Sequence, residues 1–164
     1  MRLLIFFFNA FLFSSIQSHA ESSSDENKRL FFITPSNGEE VTSPVIIKFG
    51  IVGMEIVPAG KDDPMSGHHH LLVNVEKLPN MKFPIPSDSN HLHFGKGQTQ
   101  TQLNLPSGKH TLQLLLGDYM HVPHEKPLIS NKIEICGFNV VANSYCKNLR
   151  FSGLISTFDL KFLL

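Results

Sequence analysis

Glycine and proline interrupt this chain so regularly between Leu30 and Cys136 that no stretch remains in which apolar residues recur at helical spacing. What lies between the interruptions is a series of short, β-branched or alternating runs, and these read as strands. Leu30 to Ile33 is the first, stopped by Thr34-Pro35 and turned by Ser36-Asn37-Gly38. Val45 to Val52 is the second, with Val45, Ile47, Phe49 and Ile51 on one face. Met54 to Gly67 has loop composition and delivers the chain to a strand from His68 to Val75. In that strand His68, His70 and Leu72 point one way, and His69, Leu71 and Val73 the other. Leu78 to Phe94 holds Pro79, Pro84 and Pro86, so it is irregular or at most an edge strand. Gln98 to Leu105 alternates with a solvated face, Pro106-Ser107-Gly108-Lys109 turns, and His110 to Asp118 sets Leu112, Leu114 and Leu116 on one face. Lys132 to Ile135 closes the series. The sum predicts an all-β fold, an antiparallel β-sandwich.

The ends of the chain differ in character from this middle. Met1-Arg2, an apolar run from Leu3 to Phe13 broken only by Asn9, and Ser18-His19-Ala20 form the pattern of a secretory signal peptide over residues 1–20, cleaved near Ala20. The run is too short for a spanning helix, which needs roughly 20 apolar residues. The expectation is a periplasmic or secreted protein whose mature chain has no membrane span. Residues 21–29 read as a flexible lead-in, residues 30–136 as one histidine-rich domain, and residues 137–164 as an atypical C-terminal tail without clear alternation. Charge is balanced at 14 basic and 14 acidic residues, which argues against nucleic acid or an anionic membrane surface as a partner. Cys136 and Cys146 can pair in an oxidising compartment or stand as two unrelated thiols.

The compositional anomaly is histidine. Nine occur, beside two tyrosines and no tryptophan, and all but His19 and His110 fall in three clusters: Gly67-His68-His69-His70, Asn90-His91-Leu92-His93 and Asp118 to His124. On a strand, His-x-His places two rings on one face with Cα atoms about 6.5–7 Å apart. Imidazole is the commonest ligand for borderline transition metals and is largely neutral near pH 7. His68 with His70 and His91 with His93 have this spacing, and His121 or His124 can complete a three- or four-nitrogen site. Taken singly, each histidine is more often structural than a ligand. Taken together, so many imidazoles need an acceptor or water for every ring unless a cation takes them. His69 and Asp118 are candidates for supporting positions around the ligands. His110, at the head of the leucine strand, reads as structural. Met54, Met65 and Met120 border the clusters and read as gap-filling residues rather than thioether ligands.

Thr34-Pro35-Ser36-Asn37-Gly38, Ser66-Gly67-His68-His69-His70-Leu71-Leu72, His91-Leu92-His93-Phe94-Gly95-Lys96-Gly97-Gln98-Thr99 and Pro106-Ser107-Gly108-Lys109-His110-Thr111-Leu112 resemble the bacterial exported family termed domain of unknown function 4399. The resemblance runs from about Phe32 to Ile135. It implies an exported, immunoglobulin-like β module and supplies no activity. Three functions compete on these grounds. The first is a module that coordinates copper or zinc through His68, His70, His91, His93, His121 and His124. The second is a non-metal binding domain for a cell-envelope protein or ligand. The third is a metal-dependent enzyme, for which His91-Leu92-His93-Phe94-Gly95 faintly resembles the copper-ligand strand of copper–zinc superoxide dismutases, without the rest of that ligand framework.

Overall fold

A computed structural model of the chain describes residues 27–138. The expected signal peptide, most of the expected lead-in, the tail beyond Phe138 and Cys146 lie outside the described residues. Nine strands follow one another: β1 (Arg29–Thr34), β2 (Glu40–Thr42), β3 (Val45–Val52), β4 (Glu55–Ile56), β5 (Ser66–Val73), β6 (His91–His93), β7 (Gln100–Leu103), β8 (Gly108–Gly117) and β9 (Ile133–Phe138). They form the expected all-β sandwich. One sheet has the order β1-β3-β7, and the other has the order β2-β9-β8-β5-β4, with β6 also paired to β5. Two pairs, β2–β9 and β4–β5, run parallel, which strand composition did not reveal. Among the described residues no helix is long and apolar enough to cross a membrane.

Period-two alternation builds the core. Val45, Ile47 and Phe49 turn inward from β3, Leu30 from β1, and Leu71, Val73, Leu112, Leu114, Leu116, Ile133 and Ile135 meet them from the larger sheet. Ile51, expected on the same face, is only partly buried and packs at the margin. β7 carries its solvated face as expected, with Gln100 and Gln102 exposed and Leu103 against the core.

β5 departs from alternation in one respect: all eight of its residues are buried. Its inner face meets the small sheet. Its outer face carries a second apolar cluster, in which Leu72 and Leu115 are covered by Ile85, Val75, Met81 and Ile129. The proline-bearing segment before β6 is therefore a cover, because Ile85 and Met81 shield that outer face. β9 runs on to Phe138, past the expected domain end at Cys136, because Thr42 pairs with Phe138 and the Ser43 amide donates to the Phe138 carbonyl at 2.9 Å. Cys136 is buried and disulfide-bonded.

Leu114, fully buried between the two sheets, gives the first testable outcome. Leu114→Ala should lower unfolding stability by about 2–5 kcal/mol through lost transfer energy and a cavity. Gln102→Ala, on the solvated face of β7, should stay within roughly 0.5 kcal/mol of the parent. Urea unfolding with an unchanged m-value checks both, and equal effects would contradict this placement of the core.

Candidate metal centre

The strand register decides which histidines meet. His70 stands opposite His93 across the β5–β6 ladder, and Leu72 opposite His91. Residues directly paired across an antiparallel ladder share a face. His68 and His70 therefore share the outer face of β5 with His93. The fourth ring comes from the turn after β8, where His68 pairs with Gly117 and the chain reverses immediately. Within that turn His121 adopts φ 68°, a left-handed conformation that histidine tolerates better than most side chains.

Four imidazoles converge as a result. The ring centroid of His68 lies 4.8 Å from His70, 4.9 Å from His93 and 4.9 Å from His121. His93 lies 4.6 Å from His121 and stacks 5.0 Å from His70, while His70 and His121 are 6.0 Å apart. Ligating nitrogens of His68, His70 and His93 all lie within 4.8 Å of one another. His68 and His70 are fully buried, His121 is half-buried and His93 is exposed, so the cluster has a closed floor and an open rim.

Glycines make the close approach feasible. A Cβ at Gly117 would stand 2.7 Å from Cε1 of His70 and 3.3 Å from Cα of His121. One at Gly95 would stand 2.6 Å from Nε2 of His93. Each of these glycines sits within four residues of a candidate ligand, Gly117 at the end of β8 and Gly95 just after β6.

Neither ring nitrogen of His68 has a hydrogen-bond partner, and Nδ1 of His70 has none either. Leaving such buried groups unpaired costs about 1–3 kcal/mol each. Their protonation is suppressed. Burial above all, then the fields of His121 and His93, lowers His68 from 6.5 to about 4, against an opposing pull from Asp118. Burial, followed by the fields of His68, His93 and His121, lowers His70 to about 3, opposed by a hydrogen bond to the His68 backbone. His93 is also lowered, by burial first and by His121 second. At neutral pH the floor of the site is thus made of uncharged, lone-pair-bearing imidazoles.

The remaining candidates go elsewhere, each for a local reason. His91 shares a face with His93, but its Nδ1 donates to Asp88 Oδ1 at 2.9 Å, and the same oxygen accepts the amides of Asn90 and His91. The turn that starts β6 has captured that ring. His124 lines a separate cavity of about 590 Å³ with Lys28, Met54, Pro64, Glu125 and Leu128. His69, expected as a support for the ligands, faces the opposite side of the sheet, where its ring packs edge-on 4.6 Å from Phe49. Both its nitrogens are buried without partners, and burial, then the field of His68, lowers it to about 4. Asp118 supports the cluster through the backbone, since its carboxylate shapes the turn that carries His121. His110 is structural as expected. Its Nε2 donates to the Pro106 carbonyl at 2.9 Å and its Nδ1 accepts from Asn74 Nδ2 at 3.1 Å. Met54 packs against the core, whereas Met65 and Met120 are exposed.

Fold and site together define a class: a small all-β domain with a partly open polyhistidine cluster on the outer face of its larger sheet. The family model described as Domain of unknown function (DUF4399) matches residues 47–136, more than half of the chain, and the chain belongs to that family. The matched segment contains all four converging histidines. No curated protein matches the sequence. Among solved structures, the endo-beta-1,4-mannanase from Thermotoga petrophila aligns at 16% identity with a TM-score of 0.42 over 68% of this chain. The alignment spans 20% of the mannanase chain, and so loose a likeness carries neither fold nor activity across.

The depressed imidazoles fix a pH dependence for the metal-free protein. Their folded values lie below the unfolded 6.5, so stability is fully present above pH 6.5 and is lost as pH falls towards 4 and then 3. Near pH 5, unfolding should take up about two to three protons through His68, His69 and His70. Chelator-treated protein unfolded in urea at pH 7.5, 6 and 5 should show a midpoint that drops steeply over this range. His69→Leu should reduce the uptake by about one proton. A midpoint unchanged between pH 7.5 and pH 5 would contradict the burial of neutral rings.

Proposed function

We propose that this protein is an exported module that binds a transition metal ion, copper or zinc, through His68, His70 and His93, with the ring of His121 closing the fourth side. One observation carries the reading: uncharged imidazoles gathered on a buried floor have nitrogens without a partner among the described residues. A cation with imidazole affinity would satisfy them together.

The distances suit such an ion after a small adjustment. Zinc–nitrogen bonds are about 2.0–2.1 Å, so nitrogens on a tetrahedral ion stand roughly 3.3 Å apart. The ligand atoms here start within 4.8 Å, and ring rotation at the open rim shortens the remainder. Donor chemistry narrows the choice of ion. The gathered set is all imidazole, without thiolate or carboxylate, which suits zinc or copper and disfavours calcium or magnesium. The lowered pKa values of His68 and His70 keep both available to a metal well below neutral pH, where ordinary imidazoles lose the competition to protons. Export is supported by the basic, apolar and small-residue pattern of residues 1–20. A compartment outside the cytoplasm also suits a site whose rim is open to ions in solution.

The test is calorimetric titration of metal-free protein with Cu(II) and with Zn(II), backed by elemental analysis of protein recovered from its own compartment. One equivalent per chain is expected, with thermal stabilisation that grows with metal concentration. His68→Ala/His70→Ala/His93→Ala should abolish that uptake, while His91→Ala and His124→Ala should leave it close to the parent. Uptake by the parent no greater than by the triple variant would overturn the reading. Intact mass of the recovered protein tests export separately, by asking whether the chain begins after Ala20.

A further inference from the structure

We propose that Asp118 is the positioning residue that makes His121 a ligand, so that the bound ion is held by four imidazoles rather than by His68, His70 and His93 alone. The proposal rests on the metal-binding reading above and adds to it the coordination number and the residue that sets it.

His121 does not lie on a strand. It sits in a turn between Gly117 and Pro123, which bridge to each other, and its backbone is in the left-handed region. Such a conformation persists only where the surroundings over-determine it. Asp118 supplies the determination. Its Oδ1 accepts from the amides of Met120 at 2.8 Å and Val122 at 2.9 Å, the two residues that flank His121. Its own amide donates to the Val122 carbonyl at 2.8 Å, and its carbonyl accepts from the His121 amide at 3.0 Å. The His121 carbonyl in turn accepts from the Ile85 amide at 2.8 Å, which ties the turn to the segment covering the outer face. The backbone on both sides of His121 is thus fastened to one side-chain oxygen. That fastening holds the ring 4.6 Å from His93 and 4.9 Å from His68, centroid to centroid.

Hydrogen bonding and charge at Asp118 can be separated. Asn at this position keeps an oxygen for both amides and removes the charge, whereas Ala removes both. The experiment uses the full chain loaded with one equivalent of Zn(II). Imidazole ligands are counted by X-ray absorption, and the rate of metal release to a chelator is measured. The parent should show four imidazoles. His121→Ala should show three and release the ion faster by about 10- to 100-fold, the range typical when a group supporting or completing a metal site is lost. Asp118→Ala should reproduce His121→Ala in both readouts, while Asp118→Asn keeps four imidazoles. Adding Asp118→Ala to His121→Ala should change release no more than Asp118→Asn changes it in the parent. Should Asp118→Ala fail to fold, Asp118→Glu takes its place, because the longer side chain cannot meet both amides at these distances.

Four imidazoles and parental release in Asp118→Ala would overturn the proposal, as would strictly additive losses in the double variant. Three imidazoles in the parent would remove His121 from the ligand set and leave the metal reading standing. Absence of any uptake by the parent would sink that reading itself.

Discussion

The position of β5 between β8 on one side and β6 on the other is the constraint from which the rest follows. A strand paired along both edges has little freedom in its backbone, and its side chains must alternate between faces. With the small sheet packed on one face and the segment around Ile85 on the other, three consecutive imidazoles have no solvent to turn to. Each neutral ring carries one donor and one acceptor. Sheet backbone supplies few partners for them, because most of its own groups are used in the ladders, and the hydrogen bond from His70 to the His68 backbone is an exception. The unsatisfied nitrogens of His68, His69 and His70 are the direct outcome, and the leucines of β5 and β8 offset their cost by burying apolar surface around them.

The two sides of β5 give that cost different consequences. On the inner side a lone ring, His69, packs edge-on against Phe49, and its buried nitrogens stay unpaired among the described residues. On the outer side the rings of His68 and His70 meet two more from other segments. Charging one would disfavour charging the next, and burial already disfavours the first. A proton is therefore a poor guest for this cluster. A divalent cation differs because one ion engages several lone pairs at once, and the gain from each bond adds to the same desolvation event. Under the metal-binding proposal, the same burial that weakens the site as a base would leave it prepared as a ligand set.

How much of this could be read from the sequence depends on which physical rule governed each residue. Alternation in β5 placed His68 and His70 together and His69 opposite, and the register confirms it. The rule that His-x-His brings two rings to one point failed at β6. There a local competitor, the Asp88 carboxylate three residues upstream, holds the His91 ring by a hydrogen bond. Spacing alone could not separate His121 from His124 either, since the choice depends on where the chain reverses after Gly117. The short strands β2 and β4 were missed because their few residues carry no alternation, and their parallel pairing is set by the tertiary arrangement. What composition did convey was the fold class, because Gly and Pro punctuation excludes long helices whatever the topology.

Closing the cluster onto an ion requires nitrogens up to 4.8 Å apart to approach to roughly 3.3 Å, so some segment has to yield. β5 cannot, because displacing it would break ladders on both edges. The 118–122 turn is held by the hydrogen bonds that converge on Asp118. β6 is three residues long and, among the described strands, is paired with β5 alone. Its exposed ring, His93, lies over Gly95, in the space that a Cβ at that position would take. The cluster therefore divides into a firmly held part, His68, His70 and His121, and a less constrained part, His93, at the exposed rim where an ion would arrive. Under the metal-binding proposal, a rigid majority would limit the ordering entropy lost on binding, and a rim ligand at the surface would let an ion enter and leave without unfolding the sheet. An ion bound mainly to maintain a fold would instead be enclosed by fixed ligands on every side.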